Sequence, residues 1–111
     1  MLTEANNITT PDDGRLLALL AESRDADDAH SAAASAEDDA GIAAATERLN
    51  GILATMADTP AAGWQGIAIK AARLCRSLYD SGDGCVILAA DVPVMESLAA
   101  DLARLAPEVV A

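Results

Sequence analysis

The 111-residue sequence contains no phenylalanine, one tryptophan and one tyrosine. The bulk of any core must therefore come from leucine, isoleucine and valine, which total 24 residues. Basic residues are scarce: 7 against 18 acids, for a formal net charge of −11. That balance repels phosphate and anionic lipid surfaces, so neither direct nucleic-acid binding nor membrane-surface binding is expected. Two cysteines, Cys75 and Cys85, are too few for a secreted disulfide framework, and a cytoplasmic protein with free thiols is expected. Long apolar runs are missing as well. The longest stretch without an ionisable charge, Thr59 to Ile69, is eleven residues with two glycines, too short to span a bilayer. The first residues show neither a basic nor an apolar leader region, so no signal peptide is expected.

What is abundant is alanine, at 27 residues. Alanine is the best helix former and a poor strand former, so the composition argues for an all-α chain. It also buries little area, and the 24 bulky aliphatics are about 22% of the chain, near the roughly 20% below which charged chains fail to fold. The core is thus expected to be thin, or shared with a second subunit.

The pattern predicts about four helices. Thr10, Pro11, Asp12 and Asp13 read as a helix start, followed by Leu16, Leu17, Leu19 and Leu20. Ser35 to Asp38 resembles a capping box opening a second helix from about Ala36 to Ala57, with Ile42, Ala45, Leu49, Ile52, Leu53 and Met56 on one side. A third helix ends near Tyr79 and carries the clearest stripe: Trp64, Ile67, Ala68, Ala71, Leu74, Cys75 and Leu78. Cys85 to Ala90 has β-branched content but no apparent strand partner, and is read as the start of the last helix. Met95, Leu98, Leu102 and Leu105 continue that helix. The expected architecture is an antiparallel helical bundle or paired helical hairpins, the last helix kinked at Pro93 or else restarting near it in a second piece capped by Asp91. Residues 1–9 form a tail, 10–106 one domain, and 107–111 a second short tail.

The stretch Thr59-Pro60-Ala61-Ala62-Gly63, leading into Ile67-Ala68-Ile69-Lys70-Ala71, resembles a group of small, acidic, alanine-rich helical proteins of unknown function from alphaproteobacterial genomes, often near phage-like genes. Gly66, Lys70 and Ala71 match that group's Gly-x-x-x-Lys-Ala spacing. Ser97 to Leu102 matches its closing Ser-Leu-Ala-x-Asp-Leu segment, in which Pro93 is atypical. The resemblance spans the layout of residues 12–105 and implies no activity, cofactor or catalytic residue.

The chemistry-bearing residues are sparse. Residues 1–40 hold ten acids and two bases, and Asp25, Asp27, Asp28, Glu37, Asp38 and Asp39 are the densest part. Most simply, these acids solvate a helix–helix connection; otherwise they imitate nucleic-acid phosphate toward a basic partner. His30 lies among them as a partner for Asp27 or Asp28, without a nucleophile or second base for catalysis, and calcium-loop spacing is absent. Cys75 is read as a small hydrophobe on the apolar stripe, with a disulfide to Cys85 across a hairpin left open. Lys70, Arg73 and Arg76 form a basic stripe opposite the apolar one, read as a solvated face, as pairing with the acidic first hairpin or, with Ile69 as an apolar anchor, as a partner contact. Trp64 is read as a core anchor or a binding hot spot.

The sequence therefore points to a non-enzymatic protein that acts through protein contacts in an adaptor or assembly role. It is expected to be homodimeric through the second or fourth helix, with no cofactor or metal. The candidate contact residues are Trp64, Ile69, Arg73, Arg76, Asp25, Asp27 and Asp28. The alternative is an acidic, nucleic-acid-mimicking inhibitor of a basic DNA- or RNA-binding protein.

Overall fold

The computed structural model describes residues 12–80, 85–86 and 89–110, with residues 79–80, 85–86 and 109–110 described by backbone alone. The protein is all-α. Helix α1 is Gly14–Ser35, α2 Asp39–Asp58, α3 Trp64–Ser77, α4 Val92–Leu105, and a last turn α5 is Pro107–Val110. The expected tail 1–9, the cap Thr10 and Pro11 lie outside the described residues.

α1 and α2 form a helical hairpin. The turn between them closes through Asp38 N–H donating to the Ala33 carbonyl and Glu37 N–H to that of Ala34. These bonds satisfy the carbonyls that end a helix. Glu37 sits at φ 53°, in the left-handed region usually given to glycine. Asp38 then caps α2, its Oδ1 accepting from Gly41 N–H at 3.0 Å. The cap is thus Asp38 rather than Ser35, and α1 continues through Ser35, since alanine favours uninterrupted helix.

Two further boundaries differ from the sequence reading. Pro93 does not kink the last helix; it occupies the first turn of α4, where its missing N–H costs nothing. Cys85–Val86 is not helical but pairs antiparallel with Tyr79–Asp80. The strand partner absent from the pattern is thus the chain just after α3. A 3-10 turn, Ala89–Asp91, leads from this ribbon into α4.

The core gathers Leu16, Leu19, Leu20 and Ala26 of α1, Ile52, Leu53 and Met56 of α2, Ile67 and Ile69 of α3, and Val94 of α4. On α4 the expected Leu98, Leu102 and Leu105 pack against this core, but Val94, fully buried, takes the place expected for Met95, which is 44% exposed. From residue 28 to residue 44 the hairpin contributes no buried residue. The acid-rich, alanine-rich tip therefore projects beyond the core.

Asp13 fixes where α3 begins. It is buried, and its carboxylate accepts from Ala62 N–H at 2.6 Å, Gly63 N–H at 3.2 Å and Gly66 N–H at 2.7 Å. Those donors, in and just before the first turn of α3, have no partner within that helix. Asp13, expected to serve its own helix, thus caps another one about fifty residues away. The fit depends on Gly66, because a Cβ there would lie 2.6 Å from both Ala61 Cβ and Asp13 Oδ1.

Asp13→Ala is expected to lower the unfolding free energy by about 2–3 kcal/mol, and Gly66→Ala by about 1–3 kcal/mol. In denaturant titrations the double variant should lose less than the two separate losses combined, because removing the carboxylate makes room for the new methyl. Glu37→Gly should raise stability by about 1 kcal/mol by relieving the left-handed backbone.

Candidate interaction site

α3 shows the largest departure from the sequence reading. Its buried residues are Gly66, Ile67, Ile69, Lys70, Arg73 and Ser77. Lys70 and Arg73 of the basic stripe therefore face inward, Arg76 stays at the exposed edge, and most of the expected apolar stripe faces out. Lys70 and Arg73 are among the most deeply buried side chains of the protein, at 0% and 1% exposure.

Burying a cation is costly unless an acid and further hydrogen bonds receive it. Each is received. Lys70 Nζ donates to Asp101 Oδ2 at 2.6 Å and to Ser97 Oγ at 2.7 Å. The other Asp101 oxygen accepts from Ala61 N–H at 3.2 Å and from Arg104 at 2.9 Å. Arg73 makes a two-pronged pair with fully buried Asp91, Nε to Oδ1 at 2.9 Å and NH2 to Oδ2 at 3.2 Å, and its NH1 reaches Asp27 at 2.7 Å. Burial alone would lower the Arg73 pKa, but the bonds to Asp91 and Asp27 outweigh it, so the pKa lies above its ordinary value. Arg76, 43% exposed at the edge, shares Asp27 at 2.8 Å and reaches Asp28 at 3.6 Å. Among the described residues no buried side-chain nitrogen or oxygen lacks a partner.

These pairs decide where the candidate contact residues stand. Ile69 and Arg73 are held inside the subunit, and Arg76 and Asp27 are joined to each other. Asp28 and Asp25 remain at the surface. His30 is exposed, and of the two partners expected for it Asp27 is held by the two arginines and Asp28 lies 3.6 Å from Arg76. Asp91 stood in the sequence only as a candidate helix cap and Asp101 only as part of the closing Ser-Leu-Ala-x-Asp-Leu match; neither was expected to receive a buried cation. Asp101 did carry a signal: it follows Val94 and Leu98 at spacings of four and three, an acid on an otherwise apolar stripe.

A cleft of about 820 Å³ opens between α1, α2, α3 and the 3-10 turn, lined among others by Asp27, His30, Thr46, Asn50, Arg73 and Arg76. Its main charges already pair with one another. Among the described residues no three His, Cys, Asp or Glu side chains converge to hold a metal ion.

The outward side of α3 has no such partners. Trp64 is 63% exposed and Leu78 44%. Ala68, Ala72 and Cys75 lie exposed between them, with Ala71 and Leu74 half-buried at the margin. Cys75, expected to pack inward, carries a free, exposed thiol. Trp64 stands at the surface rather than in the core because the Asp13 cap and the two buried cations fix the rotation of the helix. No helix among the described residues is long and apolar enough to cross a membrane. No family model, curated protein or solved structure matches the chain.

Arg73→Met leaves Asp91 charged, buried and unpaired, and is expected to cost about 3–5 kcal/mol in chemical denaturation. The double variant Arg73→Met/Asp91→Leu should recover most of that loss, because no buried charge remains. Equal stability of the single and double variants would contradict this account.

Proposed function

We propose that this is a non-enzymatic protein that acts through protein contacts, in an adaptor or assembly role, using the outward face of α3. The observation that carries the proposal is the 63% exposure of Trp64 on a helix that turns Lys70 and Arg73 inward. A large aromatic is the side chain that contributes most to contact energy, and small residues around it let a partner helix approach closely. Leu78 closes the other end of the same face. The resemblance to small acidic helical proteins fits this reading but adds no activity to it, and a cytoplasmic setting suits the exposed thiol of Cys75.

Mimicry of nucleic-acid phosphate is the weaker reading. Of its three leading acids, Asp27 is bound to Arg73 and Arg76 and Asp28 lies 3.6 Å from Arg76, so these two are engaged within the chain rather than free for a basic partner.

A photo-crosslinking residue placed at Ala72 in the producing cells should give a discrete protein adduct. The adduct should be lost with Trp64→Ala or Leu78→Ala and be absent from the same probe at Ala43, on the projecting hairpin tip. No adduct at Ala72, or equal adducts at both positions, would contradict the proposal.

A further inference from the structure

We propose that the cleft beside the α1–α2 hairpin is a binding site for an uncharged small molecule with a cyclic-amide edge, an N–H beside a C=O, on an aliphatic body. Its volume of about 820 Å³ falls within the range of small-molecule sites. From α3 it takes Arg73, Arg76 and Ser77, and none of the residues of the outward face. The proposal is therefore independent of the contact reading above.

The charge of the wall argues against an ionic ligand. Asp27 pairs with Arg73 and Arg76, and fully buried Asp91 pairs with Arg73, so two acids meet two bases. An added anion or cation would give up its water without gaining a free counter-charge. A carboxylate would also have to displace Asp27, which already occupies the place between the two arginines.

The hydrogen bonds left unspent set the polar edge. Both arginines donate to the same oxygen of Asp27, Oδ2, at 2.7 and 2.8 Å. Its Oδ1 receives no donor among the described residues. Arg76 spends only its Nε there, and its NH2 lies 3.6 Å from Asp28, beyond hydrogen-bond length. An acceptor and unspent donors thus stand side by side on two residues already bonded to each other. A cyclic amide is the complement: its N–H donates to Asp27 Oδ1 while its carbonyl accepts from the Arg76 guanidinium. An open-chain secondary amide is trans, so its N–H and C=O point in opposite directions and cannot make both bonds.

The remaining lining sets the body of the ligand. Leu49, Ala89 and Ala90 contribute apolar surface, and no tryptophan, tyrosine or phenylalanine is among the described lining residues. A planar base would find no large aromatic ring to stack on, so an aliphatic body fits better.

Titration of ε-caprolactam into the full chain, followed by amide NMR shifts, should give saturable changes at Asn50, Ser77 and Ala90. The dissociation constant should be on the order of millimolar, because so small a probe fills only part of the cleft. Hexanoate, hexylammonium and the open-chain N-ethylbutanamide should each bind at least about fivefold more weakly. Arg76→Met removes the donors while Arg73 still holds Asp27. Thr46→Phe narrows the cleft, and the Thr46 hydroxyl it removes bonds only to Ile42 of its own helix. Each variant should weaken lactam binding by about fivefold with unchanged helical circular dichroism.

No saturable shift with the lactam, shifts at Ala68 and Ala72 in place of the cleft, or binding that either variant leaves intact would overturn the proposal. Tighter binding of hexanoate or hexylammonium would mean an ionic site, and equal binding of N-ethylbutanamide would mean that the edge is not read; each result also overturns it. Crosslinking at Ala72 tests the protein contact separately, since Ala72 does not line the cleft.

Discussion

The structure depends on α3 being held from outside by four aspartates. Asp13 caps its first turn, Asp101 receives Lys70, Asp91 receives Arg73, and Asp27 bridges Arg73 and Arg76. The four acids come from the start of α1, from α4, from the 3-10 turn and from the middle of α1. Each contact ties α3 to a different part of the chain, so together they fix its position along its axis and its rotation about it. The apolar core, with thirteen leucines for the entire chain and no phenylalanine, could not do this alone. Hydrophobic burial is non-directional, whereas a buried cation has to meet its acid.

The consequence for function follows from rotation. An amphipathic helix normally hides its apolar side. Here the inward side of α3 is charged but neutralised, and the lysine and arginine stems supply apolar surface in place of aliphatic side chains. The residues that would otherwise be buried are left at the surface, with the tryptophan at one end and a leucine at the other. This exposed face is a product of the same ion pairs that hold the core together.

Much of the fold was legible in the sequence. Alanine content and helical periodicity set the class, the number of helices and the apolar side of α2, because these depend on local propensity and spacing. The turn at Asp38, the start of α4 and the short ribbon were less legible. Ser35 and Asp38 are both good caps, and only the packing of the hairpin selects between them. A two-residue strand needs its partner to be recognised at all. Within the site, Trp64 and the Lys70–Arg73–Arg76 stripe were visible as features, and the pairing of Arg73 and Arg76 with the acidic first hairpin was among the readings, but the burial of Lys70 and Arg73 was not. Periodicity assigns the apolar side inward by default, and nothing local to α3 shows that Asp91 and Asp101 will meet its cations.

The sequence by itself determined that this chain is helical, acidic and short of core, and that its bulky residues fall on discrete stripes. Those properties come from residues near one another along the chain. Only the tertiary structure decided which side of α3 is inside, which acids neutralise it and which residues remain for a partner. These outcomes depend on charges eighteen to forty-nine residues apart, whose attraction is weak in water and becomes strong only when folding brings the partners together out of it.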